Sequence, residues 1–341
     1  MSKTILITAI GSFSAVTVIE SLKELGHRII GCDIYPAEWV ANSAIADVFY
    51  KAPYATDRPA YMDFVKRVCQ EEAVDYVMPL TDVEIDLFRG WETAAEDTGA
   101  VICMSERKYL DIIRNKKDLE DYLAPMGICE TIPGKLLSDL ISELREIDSE
   151  FFAYETLSYP LVIKPVDGRS SQGLYMVNSA GEMELVAERC KADPDHYLVQ
   201  PKISGPVITV DVMRDPKTDH CVCVPRRELL RTPNGAGTSV LVFKHEELEK
   251  QCKAIAKALN ICGCVNFEFV EEMAPQEKNG AGKWRFLECN PRFSGGLAFS
   301  HVAGYNMVKN HLNCFMGLET EPEGEIREVH IARRYAEHVM D

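Results

Sequence analysis

A short segment near the carboxyl end, FLECNPRFSGG from Phe286 to Gly296, places oxygen-bearing side chains on a strand that runs into a glycine turn. Side chains alternate between the two faces of a strand, so Glu288 and Asn290 point to the same side. A carboxylate and an amide carbonyl are suitable Mg²⁺ ligands, and Arg292, just beyond, can neutralise phosphoryl oxygens. The segment therefore predicts a platform for a metal ion and a phosphorylated ligand, in preference to a buried strand with a stray glutamate.

The composition limits the classes of partner. The 341 residues are enough for two or three domains, and the net charge of −16 argues against a nucleic-acid or anionic-membrane surface, which needs clustered Lys and Arg. No stretch reaches the roughly 18 apolar residues of a membrane span, and no signal-peptide pattern precedes the first strand. The twelve cysteines are therefore expected to be reduced, in a cytoplasmic protein.

The amino-terminal part reads as alternating strands and helices, beginning with a βαβ unit. Gly11 is the only glycine in the first strand-to-helix loop, so we expect a Rossmann-like fold without the backbone approach that NAD binding requires. This domain should close near residue 112. The pattern predicts strands at 3–8, 28–34, 74–79 and 100–104 and helical segments at 16–25 and 83–96.

Two acidic residues follow the predicted strand at 74–79. Asp82 and Glu84 lie at its carboxyl end, which is where open α/β sheets present ligand contacts. The other interpretation is that Asp82 is the N-cap of the next helix, and the sequence leaves both open.

A second group of motifs occupies the middle of the chain. Lys164 ends an apolar strand, and the loop after it contains Ser170, Ser171 and Gln172. The amides of such a loop can cradle phosphate oxygens while the lysine supplies charge, although an exposed turn is the alternative. Gln200 ends another strand, where backbone groups could read an adenine edge.

The carboxyl-terminal part predicts paired strands. Segments 265–271 and 284–290 should form a hairpin that brings Glu268 beside Glu288. The tail from 325 to 340 is either a last strand or an interface element. Segments 207–213 and 221–225 should form another hairpin. Further predicted elements are strands at 161–165, 173–177 and 197–200 and a helix at 246–259.

The order of these motifs resembles the ATP-grasp superfamily, and within it the branch of the carbamoyl phosphate synthetase large subunit, with a single ATP-grasp module. The most specific segments are YPLVIKP, which contains Lys164, and LECNPRFSGG. The fold class implied is α/β, with α+β character in the ATP-grasp part. The implied domains are a Rossmann-like pre-ATP-grasp domain at 1–112 and the two ATP-grasp subdomains, at 113–196 with the glycine loop (residues 167–173) and at 197–341 with the metal site.

The resemblance implies roles for individual residues. Lys116 and Lys164 would contact ATP phosphates, with Lys164 and Arg292 as the catalytic pair. The mobile loop would contribute Ser170, Ser171 and Gln172, and adenine would meet Gln200 and the backbone of Lys202 and Ile203. The ligands of one or two Mg²⁺ ions, with Mn²⁺ as an alternative, would be Glu268, Glu288 and Asn290.

One departure from the family concerns the ribose. The family commonly places a glutamate after the hinge, and Val207 stands there in this chain. Asp211 is the nearest substitute on the same face of the strand, because positions 207, 209 and 211 alternate to one side.

The activity implied is that of an ATP-dependent carboxylate–amine ligase that forms an acyl phosphate from a small metabolite, with an amino acid among the candidates. Alternatives are a carbamate- or bicarbonate-phosphorylating enzyme and a non-catalytic ATP-binding regulator. Partners would be small carboxylates and amines, without nucleic acid or membrane, and a homodimer is compatible with the resemblance. Candidate substrate contacts are Asp82, Glu84, Arg226, Arg231 and Gly235.

Overall fold

The computed structural model describes residues 2–147, 154–169, 172–232, 235–272 and 283–340. Its first unit is a five-stranded sheet in the order β3-β2-β1-β4-β5, with every neighbouring pair parallel. Helices lie in each connection between these parallel strands, and the connection from β2 to β3 contains only two short 3-10 helices, at Ala37–Trp39 and Ala41–Ile45. This unit comprises β1 (Thr4–Ile7), α1 (Ala15–Glu24), β2 (Arg28–Asp33), β3 (Val48–Lys51), α2 (Arg58–Glu72), β4 (Tyr76–Met78), α3 (Asp82–Arg89), α4 (Ala94–Thr98) and β5 (Val101–Ile102).

The middle of the chain forms a small antiparallel sheet in the order β7-β10-β8-β9. The predicted strand at 161–165 is confirmed to the residue. Helix α6 begins at Lys116, where the Asn115 side chain accepts two backbone N–H groups and so caps the helix. The elements are α5 (Arg107–Ile113), α6 (Lys116–Leu123), β6 (Glu130–Thr131), β7 (Lys135–Leu136), α7 (Leu137–Ile147), β8 (Leu161–Pro165), β9 (Tyr175–Val177), α8 (Ala180–Cys190) and β10 (Tyr197–Pro201).

The carboxyl-terminal part forms a seven-stranded sheet in the order β16-β13-β12-β11-β14-β15-β6. Both predicted hairpins are present, and the tail forms a last strand, one of its two predicted alternatives. Strand β6 joins this sheet from far upstream, which local patterning does not predict. The elements are β11 (Val207–Arg214), β12 (Cys221–Arg231), β13 (Gly237–Val242), α9 (Glu246–Ala258), β14 (Gly263–Glu272), β15 (Lys283–Asn290), α10 (Leu297–Ala303), α11 (Met307–Met316) and β16 (Val329–Ala332).

One hydrophobic core joins the first sheet to the last. It contains Ile10 and Leu80, just beyond the carboxyl ends of β1 and β4, together with Phe293, which precedes α10, and Leu297, the first residue of α10. Because these apolar side chains pack as one cluster, the carboxyl ends of β1 and β4 lie against the turn that follows β15. The predicted α/β fold class is confirmed; the domain bounds at 112 and 196 stay a prediction.

No helix in the described ranges is long and apolar enough to cross a membrane. The twelve cysteines, all within those ranges, are free thiols.

Candidate active site

A cavity of about 850 Å³ lies where the three sheets meet. Its walls include the loop Gly11–Ser14, the segment Leu80–Val83, the strand end Gln200–Ile203 and the turn Asn290–Gly296. The carboxyl ends of β1 and β4 therefore face the same space as the end of β15. This position agrees with the rule that open α/β sheets bind ligands at strand carboxyl ends.

Glu268 and Glu288 are directly paired in the register of β14 and β15, and both line the cavity. Burial, together with the negative charge of Glu288, raises the pKa of Glu268 to about 7. Burial acts in the same sense on Glu288, but Lys116 and Lys164 outweigh it and lower the pKa of that carboxyl. Glu288 is therefore compensated by the two lysines, whereas Glu268 keeps a raised pKa that a bound cation would lower.

The next pair in the same register is Asn266 and Asn290, which also line the cavity. Asn290 donates from Nδ2 to Glu288 Oε1 at 3.2 Å, so its amide oxygen faces away from that bond. Two carboxylates and neighbouring amide oxygens are the donor set that Mg²⁺ takes alongside phosphate. No group of three His, Cys, Asp or Glu side chains arranged for a metal occurs in the described ranges, so a cation here would also need amide, water or phosphate oxygens.

Two lysines, Lys116 and Lys164, act on the charge of Glu288. Lys116 Nζ is 3.6 Å from Glu288 Oε2 and donates to the Gly168 carbonyl at 2.6 Å. Lys164 is buried on β8, and burial lowers its pKa to about 8 against the opposing effect of Glu288. Lys116 thus connects the first turn of α6 to the loop after β8, where the two ammonium groups can meet a phosphate chain.

Arg292 lies at the end of β15 and is held by the amino-terminal domain. Its Nε and Nη2 donate to Asp82 Oδ2 at 3.2 and 2.8 Å, and Nη1 donates to the Phe293 carbonyl at 3.1 Å. Burial would raise the pKa of Asp82, but Arg292 and Arg114 outweigh it and lower that pKa. Asp82 is therefore a buried anion paired with arginine, and it lines the cavity as the first residue of α3.

Glu84, a predicted substrate contact, is absent from the cavity wall in the described ranges. It accepts from the Thr81 amide and hydroxyl at 3.1 and 2.6 Å, and from the Tyr61 hydroxyl at 2.9 Å. Thr81 and Glu84 form a capping box at the start of α3, so Thr81, and not Asp82, is the N-cap. These bonds engage Glu84 inside the amino-terminal domain, and the expectation that it contacts substrate is corrected accordingly.

The adenine ring is predicted to bind at the part of the cavity wall formed by the strand end Gln200–Ile203. Gln200 is buried and donates from Nε2 to the Ile132 carbonyl at 2.5 Å. The Lys202 amide donates to the Pro160 carbonyl at 3.0 Å, which leaves the Lys202 carbonyl and the Ile203 backbone as the groups to meet a base. Apolar side chains complete this part of the wall: Ile132, Val162, Met176, Val207 and Leu287.

The loop after β8 is described in part. Gln172 lines the cavity, as do Gly168 and Arg169. The predicted contacts Ser170 and Ser171 lie outside the described residues.

Asp211, the predicted ribose contact, is fully buried and lies away from the described cavity wall. Its Oδ2 accepts from Arg226 Nη1 at 2.8 Å and from the Ser300 hydroxyl at 2.6 Å. Helix α10 thus covers this end of the strand face, and Asp211 anchors Arg226 instead of a sugar. The assignment of Asp211 to the nucleotide is corrected accordingly, and Val207 leaves an apolar surface at the expected ribose position.

Arg226 and Arg231 both line the cavity, as does Gly235. Arg226 also donates to Glu228 Oε1 at 3.2 Å and to the Ser294 hydroxyl at 3.0 Å, so it is locked in place. Arg231 donates to the Gly235 carbonyl at 2.8 Å and lies 3.4 Å from Glu268 Oε2. Arg231 is thus a substrate candidate in direct contact with the acidic pair.

Sequence reasoning missed several parts of the wall. Asn266 could have been found, because it precedes Glu268 by two residues and must share its face of the strand. Glu228 could have been found by the same rule from Arg226. The loop Gly11–Ser14 had no such signal, since its approach to the turn after β15 depends on packing between distant segments.

Two family models match the chain. Residues 193–337 match a family described as ATP-grasp in the biosynthetic pathway with Ter operon, and residues 5–103 match a PylC-like N-terminal domain.

Solved structures are similar over almost the whole length. A biotin carboxylase from Campylobacter jejuni, in a β-γ-ATP complex, has a TM-score of 0.76 at 18% identity, covering 97% of this chain and 74% of that chain. An N5-carboxyaminoimidazole synthetase from Staphylococcus aureus complexed with ADP has a TM-score of 0.71 at 15% identity, covering 94% and 79%. An L-amino acid ligase from Bacillus licheniformis has a TM-score of 0.70 at 20% identity, covering 96% and 78%. The predicted resemblance is confirmed: the chain has the ATP-grasp fold, and its carboxyl-terminal part matches an ATP-grasp family.

Proposed function

We propose that this protein is an ATP-dependent carboxylate–amine ligase that works through an acyl phosphate, with ATP and Mg²⁺ bound in the cavity. The observation that carries the proposal is the pairing of Glu268 and Glu288 opposite Lys116 and Lys164, with Arg292 at the same strand end. A site that only retained a nucleotide would have no need of an arginine beside the metal ligands.

The cationic residues and the oxygen ligands have separate roles. Lys116 and Lys164 bind the phosphate chain, while Glu268, Glu288 and Asn290 would hold the metal. Mg²⁺, when bound, supplies positive charge that reduces the repulsion between an anionic carboxylate and the γ-phosphate.

Arg292 stabilises the charge on the transferring phosphoryl group. The glycine loop, which includes Gln172, closes over the site and keeps water from the acyl phosphate. The substrate carboxylate attacks the γ-phosphorus of ATP, which forms the acyl phosphate and releases ADP. The amine then attacks the acyl carbon, forms the C–N bond and releases phosphate and a proton.

The substrate side is proposed to be the part of the cavity lined by Arg231, Gly235 and the loop Gly11–Ser14. A guanidinium and backbone amides suit a small carboxylate, and the similarity to an L-amino acid ligase supports an amino acid as one substrate.

The test is phosphate release from ATP and Mg²⁺ in the presence of pooled amino acids and small carboxylates. Glu288→Gln keeps the shape of the side chain but removes its charge, and we expect it to lower pool-dependent release by at least about 100-fold. Glu247→Gln, an exposed change on α9, is the matched control and should behave as wild type. Saturable Mg²⁺-ATP binding without release from any pool would instead favour a nucleotide-binding regulator.

Bicarbonate phosphorylation is the second candidate. A similar structure, the biotin carboxylase domain of Hydrogenobacter thermophilus 2-oxoglutarate carboxylase, is a complex with MgADP and bicarbonate, at a TM-score of 0.73 and 18% identity. Phosphate release that requires bicarbonate, and that continues after every other carboxylate is removed, would select this reaction. Release that requires an organic carboxylate in bicarbonate-free buffer would exclude it.

A further inference from the structure

We propose that Asp82, in the amino-terminal domain, is the positioning residue for Arg292. The inference rests on the proposed function, because it assigns how the arginine that stabilises the phosphoryl group is held ready. It also replaces the sequence-based expectation that Asp82 binds substrate directly.

The backbone at Asp82 is fixed before any ligand arrives. Thr81 and Glu84 form the capping box at the first turn of α3. The Tyr61 hydroxyl donates to the second carboxylate oxygen of Glu84, Oε1, at 2.9 Å. Asp82 lies inside this turn and is 4% exposed, so its carboxylate has little freedom to move. The amino-terminal domain therefore presents a rigid anion to the ATP-grasp part.

Arg292 takes its orientation mainly from that anion. Asp82 Oδ2 accepts from both Nε and Nη2, at 3.2 and 2.8 Å, whereas the amide oxygen of Asn290 is 3.4 Å from Nη2. A flexible arginine side chain loses rotamer entropy when it is ordered. Holding it in place beforehand removes the need to order it during phosphoryl transfer.

The surroundings of Asp82 disfavour a direct substrate contact. Its other oxygen, Oδ1, is 3.8 Å from Arg114 Nη1, and both partners are 5% exposed at the side chain. A substrate ammonium would have to displace two guanidinium groups from a buried carboxylate. Arg292, with 19% of its side chain exposed, is the member of the pair that a ligand in the cavity can reach.

Asp86 provides a matched control, one turn further along α3. It binds Arg114 through both oxygens, at 2.9 and 3.0 Å from Nε and Nη2, and it lies 3.6 Å from Arg169 of the glycine loop. Asp86 is absent from the described cavity wall, and its ion pairs are with arginines other than Arg292. Asp86→Asn thus removes an ion pair of the same helix and leaves both hydrogen bonds from Arg292 to Asp82 in place, while its partner Arg114 is shared with Asp82 Oδ1.

The experiment compares Asp82→Asn, Asp86→Asn, Arg292→Ala and the double variant Asp82→Asn/Arg292→Ala in steady-state phosphate release. We expect Asp82→Asn to lower kcat by about 100-fold with the KM for ATP unchanged, because a displaced catalytic group slows the chemical step and not nucleotide binding. Asp86→Asn should retain the wild-type kcat. In the Arg292→Ala background, Asp82→Asn should cause no further loss.

Three outcomes would overturn the inference. These are an equal loss of kcat in Asp82→Asn and Asp86→Asn, an additional loss from Asp82→Asn when Arg292 is already alanine, and an increase in the acceptor KM alone. Wild-type protein without carboxylate-dependent release would instead reject the proposed function itself, so the two failures are distinguishable.

A second variant tests the inference if Asp82→Asn does not fold. If Asp82→Asn does not fold, as judged by circular dichroism, Asp82→Glu keeps the ion pair but moves the guanidinium by one methylene. A folded Asp82→Glu with reduced kcat supports positioning, and one with wild-type kcat contradicts it.

Discussion

Glu268 and Glu288 occupy directly opposite positions on neighbouring antiparallel strands, and both carboxylates face the same cavity. Side chains at such positions lie about 5 Å apart at Cβ, and like charges there are destabilising. Two lysines compensate Glu288, while Glu268 has the partly exposed Arg231 at 3.4 Å. The native state without metal therefore holds an unfavourable charge at Glu268, and this has measurable consequences.

The first prediction concerns stability against pH in metal-free buffer. The pKa of Glu268 is raised from 4.5 to about 7, so between these values the unfolded chain loses a proton that the folded protein keeps. Stability therefore falls as pH rises from 4.5 to 7, by a few kcal/mol at most, and then levels. Glu268→Gln should remove this loss and be more stable than wild type at pH 8, but not at pH 4. Urea unfolding in the presence of EDTA measures the free energy of unfolding of both proteins at each pH. Parallel pH profiles for wild type and Glu268→Gln would contradict the prediction.

The second prediction concerns nucleotide affinity. Burial lowers the pKa of Lys164 to about 8, so the free protein loses this charge as pH rises through that value. A bound phosphate needs the charged form, hence MgADP affinity should fall up to about tenfold per pH unit above 8. Lys164→Arg keeps its charge throughout and should flatten the profile. Calorimetric titration between pH 7 and 10 measures this, and an equally steep fall in the variant would assign the effect to another group.

The third prediction concerns the buried pair of Arg226 and Asp211. Both are almost completely inaccessible to solvent, and their 2.8 Å contact is supported by Ser294 and Ser300. Arg226→Met leaves the carboxylate uncompensated and should cost about 3 to 5 kcal/mol of unfolding free energy. The double variant Arg226→Met/Asp211→Asn should recover part of this loss, as measured by guanidinium unfolding. No recovery in the double variant would show that lost packing, and not charge, is the cause.

The fourth prediction concerns the glycine turn after β15. A Cβ on Gly296 would lie 2.8 Å from Arg226 Nη2 and 2.9 Å from its Cζ, and the guanidinium cannot yield because its partners hold it. Gly296→Ala should therefore destabilise the protein by about 1 to 3 kcal/mol. Gly324→Ala is the control, since a Cβ there would meet no atom of the described residues within 4 Å beyond its chain neighbours. Equal midpoints of thermal unfolding for the two variants would contradict the prediction.

Local patterning predicted the parts of the site that depend on one strand or one hairpin. The two-residue period placed Glu288 and Asn290 on one face, and the short connection between β14 and β15 made Glu268 the partner of Glu288. The same period grouped Asp211 with the cavity-facing position Val207. It could not show that α10 covers the strand face at Asp211, because the alternation identifies a shared face and not what packs on it.

The sequence by itself determined many of the individual strands and helices, the hairpin of the acidic pair and the ATP-grasp resemblance, because these follow from near neighbours and short motifs. It did not predict β3 or α2, and it predicted one helical segment where the structure has α3 and α4. Only the tertiary structure decided that Asp82 meets Arg292 across 210 positions, that Glu84 faces inward to Tyr61, and that β6 extends the last sheet. Such contacts arise when separate apolar faces pack into common cores, and no local period encodes which distant segments will share one.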